Sequence, residues 1–287
     1  MRKLDAPLPK SWDEIAPDDV RFIFRRYEAC CRGDISPLRL NTEIFCRLSG
    51  ESFLRARIGG ISTEEAEALY LRCENDLAFL FLQSGDDTGI PALSYDSVQN
   101  SLPVVRSGAA RTLLTGPASG LADLTFGEFR QASAALNEFF RLSDMKDLDT
   151  AIAFLYRRRG HRANRAGRRV MTPDAAHIDK AVRDAAAIAP WEKTYIMMWF
   201  SACIRFLQEG KVTLNGEEVE MARMFSGGAG AGSGLSFTWN DLLVQMARDG
   251  AIGNSDRVDE EPLYSVIAVM WSNYKENKRN EQKTKKS

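Results

Sequence analysis

Residues 124–159, LTFGEFRQASAALNEFFRLSDMKDLDTAIAFLYRRR, constrain the fold more than any other stretch of the chain. Thr125 followed by Glu128 has the spacing of a capping box, in which a hydroxyl at the N-cap and a carboxylate three residues on each satisfy an orphan helix N–H. Phe126, Phe129, Ala132, Leu136, Phe139 and Phe140 then recur at spacings of three and four, which makes one face of a helix apolar. Ser143-Asp144 breaks the run, and Leu148, Ile152, Leu155 and Tyr156 form a second stripe. Two helices joined by so short a turn pack antiparallel as a hairpin. Core packing explains the phenylalanines better than an aromatic binding platform does.

After Tyr156 the chain reads RRRGHRANRAGRR. Arg157, Arg158, Arg159, Arg162, Arg165, Arg168 and Arg169 fall here with no acid among them, and Gly160 and Gly167 oppose a continuous helix. The expectation is an exposed, mobile loop. Such a loop suits phosphate or an acidic protein surface, because guanidinium groups make bidentate, charge-assisted bonds. A solvated loop balanced by neighbouring acidic helices is the competing account.

The rest of the chain carries further helix punctuation. Ser11 with Glu14 can cap a short turn that pins Trp12. A helix is predicted over 18–32, stopped by Gly33, and another from Ser36-Pro37 to Gly50. A short element spans 53–58, and Ser62-Thr63-Glu64-Glu65 opens a helix to about Gln83. Thr172-Pro173-Asp174 starts one more, and Pro190 opens an almost wholly apolar helix ending at Gly210. Asn215-Gly216 between Val212-Thr213-Leu214 and Val219 signals a β-hairpin. Thr238 caps a further helix, and Asp259-Glu260-Glu261-Pro262 opens the last, whose lysine-rich end is expected to fray. The fold class is therefore mainly α: a helical bundle with a minor β-hairpin near 211–220 and a long irregular crossover over 85–120, with short strands near Val104-Val105 and Leu113-Leu114. The expected divisions are an N-terminal helical region (1–84), the crossover, a central helical domain (121–225) with its arginine loop (157–169), a glycine-rich linker (226–236) and a C-terminal helical segment with a basic tail (237–287).

Composition narrows the function classes. The net charge of −1 over 287 residues provides no global basic field for nucleic acid. Cys30, Cys31, Cys46, Cys73 and Cys203 are odd in number and lack CxxC spacing, as in a reduced cytoplasmic protein. No signal peptide is expected from MRKLDAPLPKSW. No apolar run reaches the ~20 residues that cross a bilayer, and the nearest, over 195–207, contains Arg205. His161 and His177 are the only histidines, too few for a legible metal site. No nucleophile elbow, phosphate loop, dinucleotide fingerprint or kinase motif occurs, and the Gly85-Asp86-Asp87 triplet reads as a turn. The expectation is a protein without catalytic, cofactor or metal residues.

Four segments together suggest a kinship: LPKSWDEI, DLTFGEFRQAS with DLDTAIAFLYRR, WEKTYIMMWFSACIRFL, and WNDLLVQMARDGAIGNSDRVDEEPLYSVIAVMWSNYKENKRNE. They resemble morphogenesis proteins of tailed phages and prophages of the kind carried by gut Bacteroidetes. The C-terminal third is similar to the ends of phage tail assembly chaperones, through Trp239, Leu242, Leu243, Ala247, Gly250 and Pro262-Leu263-Tyr264. The resemblance implies a non-enzymatic protein of the host cytoplasm or the virion. It would bind a tape-measure protein or a tail tube subunit by helix-in-groove capture, and a homo-oligomer is a further expectation. Trp199, Trp239, Tyr264 and Trp271 are the residues expected at such protein-binding surfaces, although core packing is an equal expectation for the tryptophans near 199 and 271. The alternative is a packaging or head-completion protein that contacts nucleic acid through the arginine loop and the lysine tail.

Overall fold

A computed structural model describes residues 8–50, 71–82, 90–158, 175–214, 216–222, 239, 244, 246–248 and 252–284. In chain order the helices are α1 (Pro17–Cys31), α2 (Pro37–Ser49), α3 (Phe126–Leu142), α4 (Met145–Leu155), α5 (Ala175–Ala186), α6 (Pro190–Glu209), α7 (Ser255–Glu260) and α8 (Leu263–Thr284). The strands are β1 (Val104–Ser107), β2 (Thr112–Thr115), β3 (Arg157–Arg158), β4 (Lys211–Leu214) and β5 (Glu217–Glu220). The fold is mainly α with two small antiparallel sheets, β1-β2-β3 and β4-β5. No helix of the described residues is long and apolar enough to cross a membrane. The segments 53–58, 62–70, 226–236 and the Thr238 cap lie outside the described residues.

The chain forms two compact units. Residues 1–102 with 190–199 make the first, and residues 103–189 with 200–287 the second. These limits differ from the sequence-based ones: one falls inside the 85–120 crossover, and the C-terminal segment clusters with the central helices.

In the first unit, Ser36 caps α2 by accepting from the Arg39 N–H at 3.3 Å, Pro37 fills the first turn, and Gly50 ends the helix at φ 72°. Trp12, Phe24, Tyr95 and Tyr195 form an aromatic core, with Trp12–Tyr95 centroids 4.7 Å apart and Phe24–Tyr195 edge-on at 5.2 Å. Residues 94–102 have no regular structure, so their backbone groups need other partners. Aromatic polar tips supply several. The Trp12 indole N–H donates to the Ser94 carbonyl, and the Trp199 indole N–H to the Val98 carbonyl at 3.1 Å. The Tyr195 hydroxyl accepts from the Ser101 N–H at 2.7 Å and donates to the Gln99 carbonyl at 3.3 Å. The helix predicted to reach Gln83 instead leaves α geometry at Leu77. The Leu82 N–H pairs with the Ala92 carbonyl and the Ser94 N–H with the Leu80 carbonyl, both at 2.8 Å, an extended pairing that a helix would forbid.

The second unit is organised on the α3–α4 hairpin. The capping box forms as the spacing predicts: Thr125 Oγ1 accepts from the Glu128 N–H at 3.2 Å, and Glu128 Oε2 from the Thr125 N–H at 3.0 Å. Ser143 makes the turn in the left-handed region, at φ 57°, and Asp144 caps α4. The short strands expected in the crossover form and pair in full register as β1 and β2, Val104 opposite Thr115. Phe129 packs edge-on against Phe200 at 5.9 Å and Trp239 at 4.7 Å.

The C-terminal segment is clipped to the start of α3. The Leu263 N–H donates to the Leu124 carbonyl at 2.9 Å, and the Phe126 N–H to the Glu261 carbonyl at 2.8 Å. Arg130 holds Asp259 through two bonds, at 3.2 and 2.6 Å. A Cβ on Gly127 would sit 2.8 Å from that of Asp259, so a side chain there would push the clip away. Two expectations need correction here. The acids at 259–261 do not open the last helix: Asp259 and Glu260 close α7, a separate turn capped by Asn254, before Pro262 restarts the chain in α8. The polar end does not fray but stays helical to Thr284.

Candidate protein-binding surface

The α3–α4 hairpin ends in an uncovered apolar tip. Phe140, Leu142 and Met145 are 58, 55 and 50 % exposed, all within six residues of chain. Phe140 lies one turn beyond buried Leu136 on the same face of α3, which is why it reads as core in sequence. Phe139 lies against it, with ring centroids 5.7 Å apart. Arg141 pairs with Glu138 at the edge of the tip, and the Asp144 carboxylate accepts from the Lys146 backbone N–H in the turn itself. The result is an apolar end on a capped, well-packed hairpin, rimmed by charge. Singly exposed apolar side chains are ordinary on a protein surface, but three at one hairpin end can receive an apolar partner segment.

The residues expected at protein-binding surfaces fare differently. Trp199 is fully buried in the first unit and belongs to its core. Trp239 is committed to Phe126 and Phe129. Tyr264 gives its hydroxyl to the Gly120 carbonyl at 2.7 Å, and burial pushes that hydroxyl's pKa up. Trp239, Tyr264 and Trp271 are each half-buried, and Trp271 lies at the surface of α8. It stacks on Tyr274 at 5.4 Å, its indole N–H donates to Glu217 at 3.1 Å, and Lys275 lies over its ring. Lys275 also binds Glu217, at 2.6 Å, and the two bonds hold that carboxyl below its ordinary value, the lysine contributing more.

The arginine loop also begins otherwise than expected. Arg157 and Arg158 are strand, paired with Thr115 and Leu114 of β2. Arg157 is 6 % exposed and forms an ion pair with Glu128, the capping-box acid, whose own side chain is 1 % exposed. Arg158 grips Asp184 of α5 with two bonds of 2.6 Å. The Arg157 guanidinium therefore ties β3 to α3, and that of half-exposed Arg158 ties β3 to α5. No periodicity announces this, because the partners are 29 and 26 residues away in sequence. Arg159, Arg162, Arg165, Arg168 and Arg169 lie outside the described residues.

The Arg158 pair has a pH signature. Its hydrogen bonds to Asp184 hold that carboxyl below the ordinary 3.8. A depressed carboxyl stabilises the fold fully above the ordinary value and loses that contribution as pH falls through the folded one. Asp184→Asn is expected to lower Tm at pH 7 by on the order of 2 °C, with the gap to the parent closing as pH drops below 3.8. Thermal scans by circular dichroism across that range test it, and a gap independent of pH would show that the pair contributes nothing.

The remaining polar chemistry is sparse. Burial pushes the thiols of Cys73 and Cys203 up to about 12, so both stay protonated and are poor nucleophiles. Among the described residues, no cluster of three His, Cys, Asp or Glu is placed to hold a metal ion. No protein-family model matches the chain, and neither a curated protein nor a solved structure matches it.

Proposed function

We propose that this protein is a non-catalytic assembly factor of tailed-phage type, acting like a tail assembly chaperone in the host cytoplasm. It captures an apolar helical segment of a tape-measure or tail tube protein. The observation that carries this is the apolar tip, Phe140, Leu142 and Met145, on a hairpin whose other apolar positions are already packed. The resemblance of Trp239 and Pro262-Leu263-Tyr264 to chaperone ends supplies the phage context. Those residues act here as internal supports of the second unit, while the tip supplies the contact. Helix-in-groove capture of this kind gains from burying large side chains while a charged rim sets orientation.

The test is co-expression with a tape-measure protein of a tailed phage. Co-purification of a partner that is insoluble alone is expected. The double substitution Phe140→Asp with Met145→Asp should abolish it while changing folding stability by no more than about 0.5 kcal/mol, as exposed positions do. Full retention of the partner by that variant removes the tip from the mechanism.

A second reading, a packaging or head-completion protein contacting nucleic acid, draws on α8. There stacked Trp271 and Tyr274 carry Lys275 and Lys278 over their rings, the aromatic-and-basic combination that suits single strands. Retention on DNA cellulose at low salt, lost on Lys278→Gln, would favour it over the first.

A further inference from the structure

The β4–β5 hairpin lays one acid across α8. Successive side chains of a strand point to opposite faces, and β5 uses its two faces differently. Glu218 lies diagonal to Lys211 in the ladder and pairs with it at 2.9 Å. Val219 is fully buried on the other face, and Glu217 shares that face at the turn end of the strand. From there the Glu217 carboxylate reaches Trp271 and Lys275, 54 and 58 residues further along the chain.

One oxygen makes both contacts. Glu217 Oε2 accepts from the Trp271 indole N–H at 3.1 Å and from the Lys275 ammonium at 2.6 Å. Two donors converging on a single anionic oxygen also suit an oxygen of a phosphate group, with the charge-assisted bond from lysine as the stronger. Around this point Trp271, Tyr274, Lys275 and Lys278 recur at spacings of three and four, which places them on one stripe of α8. The two rings stack 16° from parallel. The stripe thus joins an aromatic pair to a position already filled by an anion of the protein itself. The Glu217 and Lys275 side chains are 57 and 36 % exposed. An ion pair as exposed as this is weak enough to be exchanged.

We propose that Glu217 is an autoinhibitory contact on α8: it holds the place of a phosphate, and the backbone of a single-stranded nucleic acid displaces it as a base comes onto the aromatic pair. This lock presupposes the single-strand reading of α8 and adds its regulation. The strand binds only those molecules in which Glu217 has let go, so its apparent affinity falls by that fraction.

The test is a fluorescence anisotropy titration of labelled oligo-dT with the full-length protein at low ionic strength. Glu217→Gln keeps an acceptor for the indole N–H and removes the charge. It should tighten binding about three- to fivefold, the range that a surface ion pair supplies. Glu218→Gln changes the net charge equally, but from the face that meets Lys211, and should leave the affinity close to the parent's. Both acids are exposed on a short hairpin, so both variants fold. Unchanged affinity in Glu217→Gln, or equal tightening by the two variants, overturns the lock and leaves the single-strand reading of α8 standing. No binding by the parent or by Glu217→Gln overturns both. Displacement of the oligonucleotide by polyglutamate as readily as by unlabelled strand assigns the stripe to an acidic protein and overturns the proposal.

Discussion

Replacing Arg157 with leucine should destabilise the protein by about 3–5 kcal/mol, the penalty for leaving one partner of a buried ion pair without its counter-charge. Glu128 is 1 % exposed and Arg157 6 %, so neither regains water when the other is lost. The acid is fixed in place, because its second oxygen accepts from the Thr125 N–H in the capping box. Truncating the arginine therefore forces a choice on Glu128: remain charged in an apolar setting, or protonate. Either lowers stability. Arg157 also donates to the Phe154 carbonyl at 3.2 Å, so the end of α4 loses a partner too. The double variant Glu128→Gln with Arg157→Leu should recover most of the loss, since glutamine at that position still serves the capping box and carries no charge. Urea unfolding monitored by circular dichroism compares both variants with the parent. A cost under 1 kcal/mol for Arg157→Leu alone would mean that Glu128 is not buried as described.

Trp199→Ala should cost a further large amount, about 3–5 kcal/mol, as aromatic-to-alanine changes in packed cores do. The ring is fully buried, and its indole N–H holds the Val98 carbonyl of the irregular 94–102 strap. The substitution thus opens a cavity and orphans a backbone acceptor together. Trp271→Ala is the matched control. Its ring is partly solvent-exposed and its bond to Glu217 lies at the surface, so the change should cost less than about 1 kcal/mol. Thermal melts of the two variants distinguish a core tryptophan from a surface one. If Trp199→Ala keeps full stability, Trp199 cannot be the core residue of the first unit.

These two residues mark where sequence reasoning reaches and where it stops. Capping and periodicity are local, and they are legible: the Thr125–Glu128 box, the Ser36-Pro37 start, the Pro190 start and the β4–β5 hairpin all appear where the residues place them. The short strands near Val104 and Leu113 are legible for the same reason. Position on a stripe is a weaker guide. Leu136 and Phe140 share a face of α3, yet one is buried and the other bare, because burial depends on what lies across from each turn. Trp199 and Trp271 look alike in sequence and differ for the same cause. The arginine run misleads further. Its composition suggests a free basic loop, but Arg157 and Arg158 are taken by acids brought from α3 and α5.

The sequence by itself determined the mainly helical class, most of the helix starts and both hairpin turns, because these follow from backbone chemistry within four or five residues. Tertiary structure alone decided which apolar side chains face solvent and which charges are neutralised. It also decided that a C-terminal clip closes onto α3, and that Arg26 and Arg39, from different helices, share Glu43. Those outcomes are set by contacts between residues distant in the chain, whose energies a local pattern does not contain.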